Sequence, residues 1–250
     1  MDNHRRRSKT QTFSFRRRNP LKMFFVHRFS SLLIAFLLFL SLGKSSVSRA
    51  LASPQSECEP KSHQRDSSAI EQAPEKFAVT FLTTASETPI VVEVYRDWAP
   101  RGVDRFYNLI LDNYYNCASF FRVVPNFVVQ FGIAAEPNET EKWSAEIKDD
   151  PVTQSNRQGT LSFATAGPNT RTTQVFVNLE DNKRLDSMGF SPFGKVVAGL
   201  EVLVEIRNPT PASSNGIDQG KLKEGGNDWL LKEYPDVDMI LSTEHTGTDL

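Results

Sequence analysis

Residues 120–130 read Phe120-Phe121-Arg122-Val123-Val124-Pro125-Asn126-Phe127-Val128-Val129-Gln130. β-Branched and aromatic residues fill both halves, with Pro125-Asn126 between them. The stretch therefore predicts two short strands, Ser119–Val124 and Phe127–Phe131. Alternate side chains of a strand share a face, so Phe120, Arg122 and Val124 point the same way. Arg122 is a single cation among Phe and Val, and arginine is rarely buried unpaired. It is either a solvated outward side chain or part of a site.

Similar runs flank this pair. Phe77–Thr84 and Ile90–Tyr95 read as strands of a hairpin. Thr160–Ala164, Gln174–Asn178 and Gly194–Val197 read as three more strands, while Leu200–Ile206 fits helix or strand. After Pro100, the apolar residues Val103, Phe106, Tyr107, Ile110, Leu111 and Tyr114 keep helical spacing, and Asn113 is placed to end that helix. Residues 133–158 are polar and predict a loop-rich connection. Many short strands, turn residues between them and no internal repeat predict a barrel or a sandwich.

Composition limits the chemistry. The chain has 250 residues, 39% hydrophobic and 24% charged, with 13 glycines, 14 prolines and two cysteines, which is ordinary globular composition. The net charge of −1 conceals a division. Residues 1–56 hold eleven of the 29 Lys/Arg and one of the 30 acids, giving +10 there and −11 in the remainder. An acidic domain is poorly suited to nucleic acid, because phosphate attraction carries most non-specific affinity. The four histidines are His4, His27, His63 and His245, so 64–244 contains none. A Ser-His-Asp triad, a Cys-His pair and a His-ligated metal site are excluded from that stretch. Glycine-rich phosphate-binding patterns are also missing. Chemistry in 64–244 must use arginine, amides, hydroxyls or carboxylates. Asp149-Asp150 is better read as a solvated loop pair than as metal ligands.

The arginines of residues 1–28 precede an apolar run of fourteen residues, Phe29–Leu42. That length suits a secretory signal (roughly 7–15) better than a full membrane span (roughly 20). Ala50-Leu51-Ala52 offers a cleavage site. The expected organisation is a basic cytosolic n-region at 1–28, a signal peptide or signal anchor at 29–52, a polar linker at 53–76 and a folded domain at 77–245. The positive flank would stay cytosolic, placing the domain in the endomembrane lumen or outside the cell, with a single-pass type II anchor if uncleaved. A chloroplast or mitochondrial transit peptide is the alternative. The sequon Asn138-Glu139-Thr140 fits a lumenal fate. Cys58 and Cys117 either pair there or remain a stalk thiol and a buried thiol.

Two further runs complete a pattern. Ala164-Thr165-Ala166-Gly167-Pro168-Asn169-Thr170 is a turn of small residues, followed by Gln174 and Phe176 on one strand face. Leu185-Asp186 is followed by Phe193-Gly194-Lys195-Val196. Together with 120–130, these runs resemble the cyclophilin family of peptidyl-prolyl cis-trans isomerases. The resemblance spans about 77–208. It implies a mainly β fold, a closed eight-stranded antiparallel barrel capped by two helices. It also implies rotation of X-Pro bonds without a cofactor or metal, acting on proline-containing peptides or proteins as a monomer. Arg122 matches the catalytic arginine, Phe127 and Val128 the walls of the proline pocket, and Gln130 the substrate-orienting amide. Ala164 and Thr165 match the backbone-binding strand, and Gln174, Phe176 and Leu185 the rest of the groove.

The chain also departs from the pattern. Arg184 stands where many members carry a tryptophan that contacts cyclosporin, which puts cyclosporin binding in doubt. Thr165 stands where the family has its backbone-binding asparagine. Gly225–Ile240 is not the common closing strand. The pattern resembles a divergent, bacterial-like branch. A catalytically weak module that binds proline segments is the alternative function.

Overall fold

The computed structural model describes Cys58 and residues 70–247. The expected n-region, the apolar segment 29–52 and most of the linker lie outside the described residues. Among the described residues no helix is long and apolar enough to cross a membrane.

Eight strands form one antiparallel sheet: β1 (Lys76–Thr83), β2 (Ile90–Tyr95), β3 (Arg122–Val124), β4 (Val128–Phe131), β5 (Thr160–Phe163), β6 (Val175–Asn178), β7 (Pro192–Ala198) and β8 (Ile240–Thr246). Their order is β3-β4-β6-β5-β7-β2-β1-β8. The sheet curls until its edges approach. Phe120 N, just before β3, donates to Asp238 O (3.0 Å), and Ile240 N donates to Ala118 O (2.9 Å). Seven strands match the expected runs within a few residues, and β3 is shorter than expected. β8 comes from the departing C-terminus.

The helices are α1 (Pro100–Leu111), α2 (Pro137–Lys142), α3 (Leu200–Glu205) and α4 (Gln219–Glu233). Val103, Phe106, Leu109 and Ile110 of α1, with Val202 and Leu203 of α3, enter the barrel core as the two expected caps. Leu200–Ile206 thus resolves as helix. Asn113 follows α1 with φ 54°, a left-handed conformation that asparagine tolerates. Asp150 bonds two free amides at the start of α1, Arg101 N (3.1 Å) and Gly102 N (2.9 Å). It also pairs with the buried Arg171 at 3.1 Å. Its work is therefore in the fold.

α2 and α4 lie outside the expected pattern. α4 covers a second apolar cluster of Cys117, Phe121, Ile133, Ala135, Ile217, Leu222, Leu230, Val237 and Met239. Trp229 and Tyr234 brace its edge, ring centroids 6.0 Å apart. Cys58 is disulfide-bonded to Cys117 across a sequence separation of 59, so the pairing alternative is the one found. The end of the expected linker lies on the barrel: Ala73 is buried, and its N–H donates to Asp104 Oδ1 on α1 (2.9 Å).

Candidate active site

Register builds the site. Arg122 lies opposite Gln130 across β3 and β4, and Gln130 opposite Phe176 across β4 and β6. These three side chains share one face of the curled sheet. The neighbouring row, Val123, Val129 and Val177, turns inward and belongs to the core. A single alternation thus separates a site face from a core face over three strands. The β3–β4 turn is tight: Phe127 N donates to Val124 O (3.0 Å), and Asn126 has φ 59°. Pro125 and Asn126 suit the second and third positions of a turn with one left-handed residue.

On this outer face a separate apolar cluster of Val128, Phe176 and Leu185 packs with Phe127, Ala164 and Phe190. It forms the wall of a cavity of about 240 Å³ lined by Arg122, Phe127, Val128, Gln130, Ala164, Thr165, Phe176, Leu185, Met188 and Phe190. Eight of the nine expected site residues meet here. The ninth, Gln174, lines an adjoining groove that shares Gln130, Ala164 and Thr165. Phe190 packs edge-on to Phe176, centroids 5.5 Å apart. Leu185 sits on a 3-10 turn, Lys183–Met188. Asp186 anchors that turn by accepting from Ser155 Oγ (2.6 Å), Asn156 N (2.8 Å) and Asn156 Nδ2 (2.8 Å). Burial works to raise its carboxyl, but these donors win and hold it below the usual aspartate range.

The polar side of the cavity is a directed chain. Arg122 Nη1 donates to Gln130 Oε1 (3.2 Å), and Gln130 Nε2 donates to Gln174 Oε1 (2.9 Å). Arg122 Nε donates to Ser214 O (2.7 Å). The half-buried guanidinium lies 5.8 Å from the centroid of the Phe127 ring. Burial lowers its pKa from the ordinary value. Arginine nevertheless stays charged in proteins. Among the described residues, Nη2 of Arg122 makes no hydrogen bond, so that edge remains available beside the apolar wall.

Thr165 differs from its expected place in a strand. β5 ends at Phe163, and Ala164 N adds one more ladder bond to Gln174 O (2.9 Å). The Thr165 hydroxyl is occupied within the turn, bonding Gly167 O and Thr170 Oγ1. Three neighbours were not singled out in the sequence as site residues. Met188 and Phe190 lie between Leu185-Asp186 and Phe193, at positions the sequence pattern leaves unmarked. Arg184 stood out as a departure, and it stacks over Phe127 with the guanidinium carbon 4.7 Å from the ring centroid.

The cyclophilin-type peptidyl-prolyl cis-trans isomerase model matches residues 79–224. The chain is 37% identical over 142 residues to a peptidyl-prolyl cis-trans isomerase of Acinetobacter baylyi, covering 54% of this chain and 74% of that protein. It is also 37% identical over 120 residues to peptidyl-prolyl cis-trans isomerase ppi1 of Schizosaccharomyces pombe, covering 45% of this chain and 75% of that one. The fold matches a cyclophilin-type isomerase of Cryptosporidium parvum, with TM-score 0.52, 22% identity, and coverage of 69% of this chain and 99% of that one. A second structure of that protein was determined in the presence of the dipeptide Ala-Pro (TM-score 0.51). The chain therefore belongs to the cyclophilin-type peptidyl-prolyl cis-trans isomerase family.

Proposed function

We infer that this chain rotates X-Pro bonds in the cavity between Arg122 and the Phe127–Phe176 wall, and does so in the endomembrane lumen or outside the cell. The observation that carries the first part is the placement of one directed cation beside one apolar cavity. The barrier to amide rotation, ~18–20 kcal/mol, comes from delocalisation of the nitrogen lone pair into the carbonyl. Both X-Pro isomers lie within about 1 kcal/mol, yet uncatalysed exchange takes tens to hundreds of seconds. A catalyst needs only to bind the twisted amide better than either planar form. Phe127, Val128, Phe176 and Leu185 hold the prolyl ring. The free edge of Arg122 donates to the prolyl nitrogen as twisting localises its lone pair. Gln130 holds the guanidinium and orients the preceding carbonyl. The Ala-Pro dipeptide used with the Cryptosporidium structure supports a small proline peptide as ligand.

The test is isomerisation of a short proline peptide by the purified protein beside Arg122→Ala. Removing a group that stabilises charge in the transition state lowers turnover by about 10²–10³-fold. That loss, with unchanged thermal unfolding, is expected. A folded wild-type protein that binds the peptide without accelerating it would instead be a proline-segment binding module. Arg184, in the place of the family's tryptophan, leads us to expect weak cyclosporin binding in a competition assay.

The lumenal part of the reading is supported by the Cys58–Cys117 disulfide, since such bonds persist in oxidising compartments. Asn138, within its sequon, is exposed on α2 and so accessible to glycosylation. The full chain expressed in cells should show a glycosidase-sensitive mobility shift that Asn138→Gln removes. Import into an organelle without any shift would favour the transit-peptide alternative.

A further inference from the structure

The polar chain continues past Gln174. Gln174 Nε2 donates to Oε1 of Gln219 at 3.0 Å. Gln219 is the first residue of α4, immediately after the capping residue Asp218, whose side chain accepts from Gly220 N and Lys221 N. The segment leading to it is pinned against the catalytic strand. Ser214 O receives Arg122 Nε at 2.7 Å, and Ile217, itself buried, donates its N–H to Phe121 O at 2.8 Å. Gly216 has φ +79°, and a Cβ there would stand 2.6 Å from both Arg122 Cβ and Phe121 O. Only glycine lets the chain pass this close in that conformation. Residues 214–219 thus touch both ends of one circuit, which runs from Arg122 through Gln130, Gln174 and Gln219 and returns along the backbone to Arg122.

Direction matters in such a circuit. A guanidinium can only donate, whereas a glutamine amide can turn over and exchange its donor and acceptor ends. Arg122 therefore needs the oxygen of Gln130, which sends the Gln130 amino group to Gln174. Gln174 must then present its own oxygen and send its amino group onward. That last amino group requires an acceptor, and among the described residues Gln219 Oε1 is the one that receives it. Without it, Gln174 keeps only its bond from Gln130 and loses the partner that holds the far end of its amide, so the orientation passed back to the mostly buried Gln130 is less firmly fixed.

We propose that Gln219 is a positioning residue of the isomerase site, fixing both glutamine amides so that Arg122 is held with its free edge toward the bound prolyl residue. This role rests on the isomerase reading above. It gives α4 a part in catalysis beyond covering the second apolar cluster.

The test compares Gln219→Leu with Gln219→Glu in the purified protein. Leucine keeps bulk but removes the acceptor, while a carboxylate still accepts and also suits a helix N-terminus. Misalignment of a catalytic group is costly even when small, so Gln219→Leu should lower kcat about tenfold or more. KM and the unfolding temperature should stay near those of the wild type, and Gln219→Glu should recover most of the lost turnover. In ¹⁵N spectra the side-chain amide signals of Gln130 and Gln174 should move or broaden in Gln219→Leu and stay in place in Gln219→Glu. Wild-type kcat in the leucine variant would overturn the proposal, as would a change in KM alone or equal impairment of both variants. The spectra also decide the matter if the wild-type protein proves inactive. Unchanged Gln130 and Gln174 signals in Gln219→Leu would refute the positioning role whatever becomes of the isomerase reading.

Discussion

The barrel interior and the cluster beneath α4 are both closed to water, yet they are held in different ways. The barrel interior is built from strands that pair in register, and its rings interlock: Phe193 lies 5.0 Å from Phe106 and 5.1 Å from Phe163, centroid to centroid. The cluster beneath α4 gathers residues from distant parts of the chain and is fastened by the Cys58–Cys117 bond. Even α4 is interrupted, at Gly226, where φ is 54° and a Cβ would meet Ala135 O at 2.5 Å. The first region supplies the rows of the sheet on which Arg122, Gln130 and Phe176 stand. The second supplies Gln219 and the backbone that touches Arg122. The candidate site is thus bounded by the paired sheet on one side and an added, cross-linked layer on the other.

The contrast can be broken first in the barrel. Phe193→Ala removes a fully buried ring and should cost about 3–5 kcal/mol in urea unfolding, lost from the whole domain at once. Leu230→Ala in the second cluster, also fully buried, should cost about 2–4 kcal/mol. There the loss of hydrogen-exchange protection should concentrate in α4. Uniform loss across the barrel from Leu230→Ala would erase the distinction between the two regions.

Cross-linking is the next point of attack. For a separation of 59 residues, the chain-entropy model allows up to about 4 kcal/mol of stabilisation from the disulfide. Residual structure in the reduced, unfolded chain lowers this, so Cys58→Ser should lower stability by about 2–3 kcal/mol. It should also increase exchange in α4 before it affects β4 or β6. If exchange rises equally in all of them, the disulfide serves the barrel as a whole.

A smaller effect should sharpen the role of the Leu185 turn. Asp186 is held below its ordinary range, so its bonds stabilise the fold fully above the unfolded aspartate value of about 3.9. That contribution is lost as pH falls through the lower folded value. Asp186→Asn should therefore flatten the acid limb of the stability–pH curve while costing about 1–2 kcal/mol at neutral pH. An unchanged acid limb would mean that other carboxylates control it. The smallest effect is expected at the mouth of the cavity. Arg184→Ala removes the stacking over Phe127 and should change KM for a proline peptide by about two- to fivefold.

Much of the site is legible in the amino-acid order, for a local reason. Period-two alternation puts Arg122 and Gln130 on definable faces, and helical periodicity marks α1. The parts that are harder to read depend on distant partners. β8 buries only Ile240 and Thr243 of its seven residues, so its pattern is faint. It becomes a strand because β1 offers it an edge. α4 has interior glycines and weak apolar periodicity, and its buried face is defined by the cluster it covers. Thr165 follows a strand-like run, but its hydroxyl finds partners inside the next turn.

What the amino-acid sequence determined by itself was the stock of chemistry: an arginine, amides and apolar walls in a stretch without histidine. It also set which side chains of each short strand travel together, because backbone geometry alone imposes that alternation. Tertiary structure decided which faces meet. Register set Arg122 against Gln130 and Gln130 against Phe176. Packing brought Cys58 to Cys117 and Gln219 to Gln174. Apart from the local Arg122–Gln130 pair, those contacts join residues tens of positions apart, and only a folded chain fixes distances and donor directions over such separations.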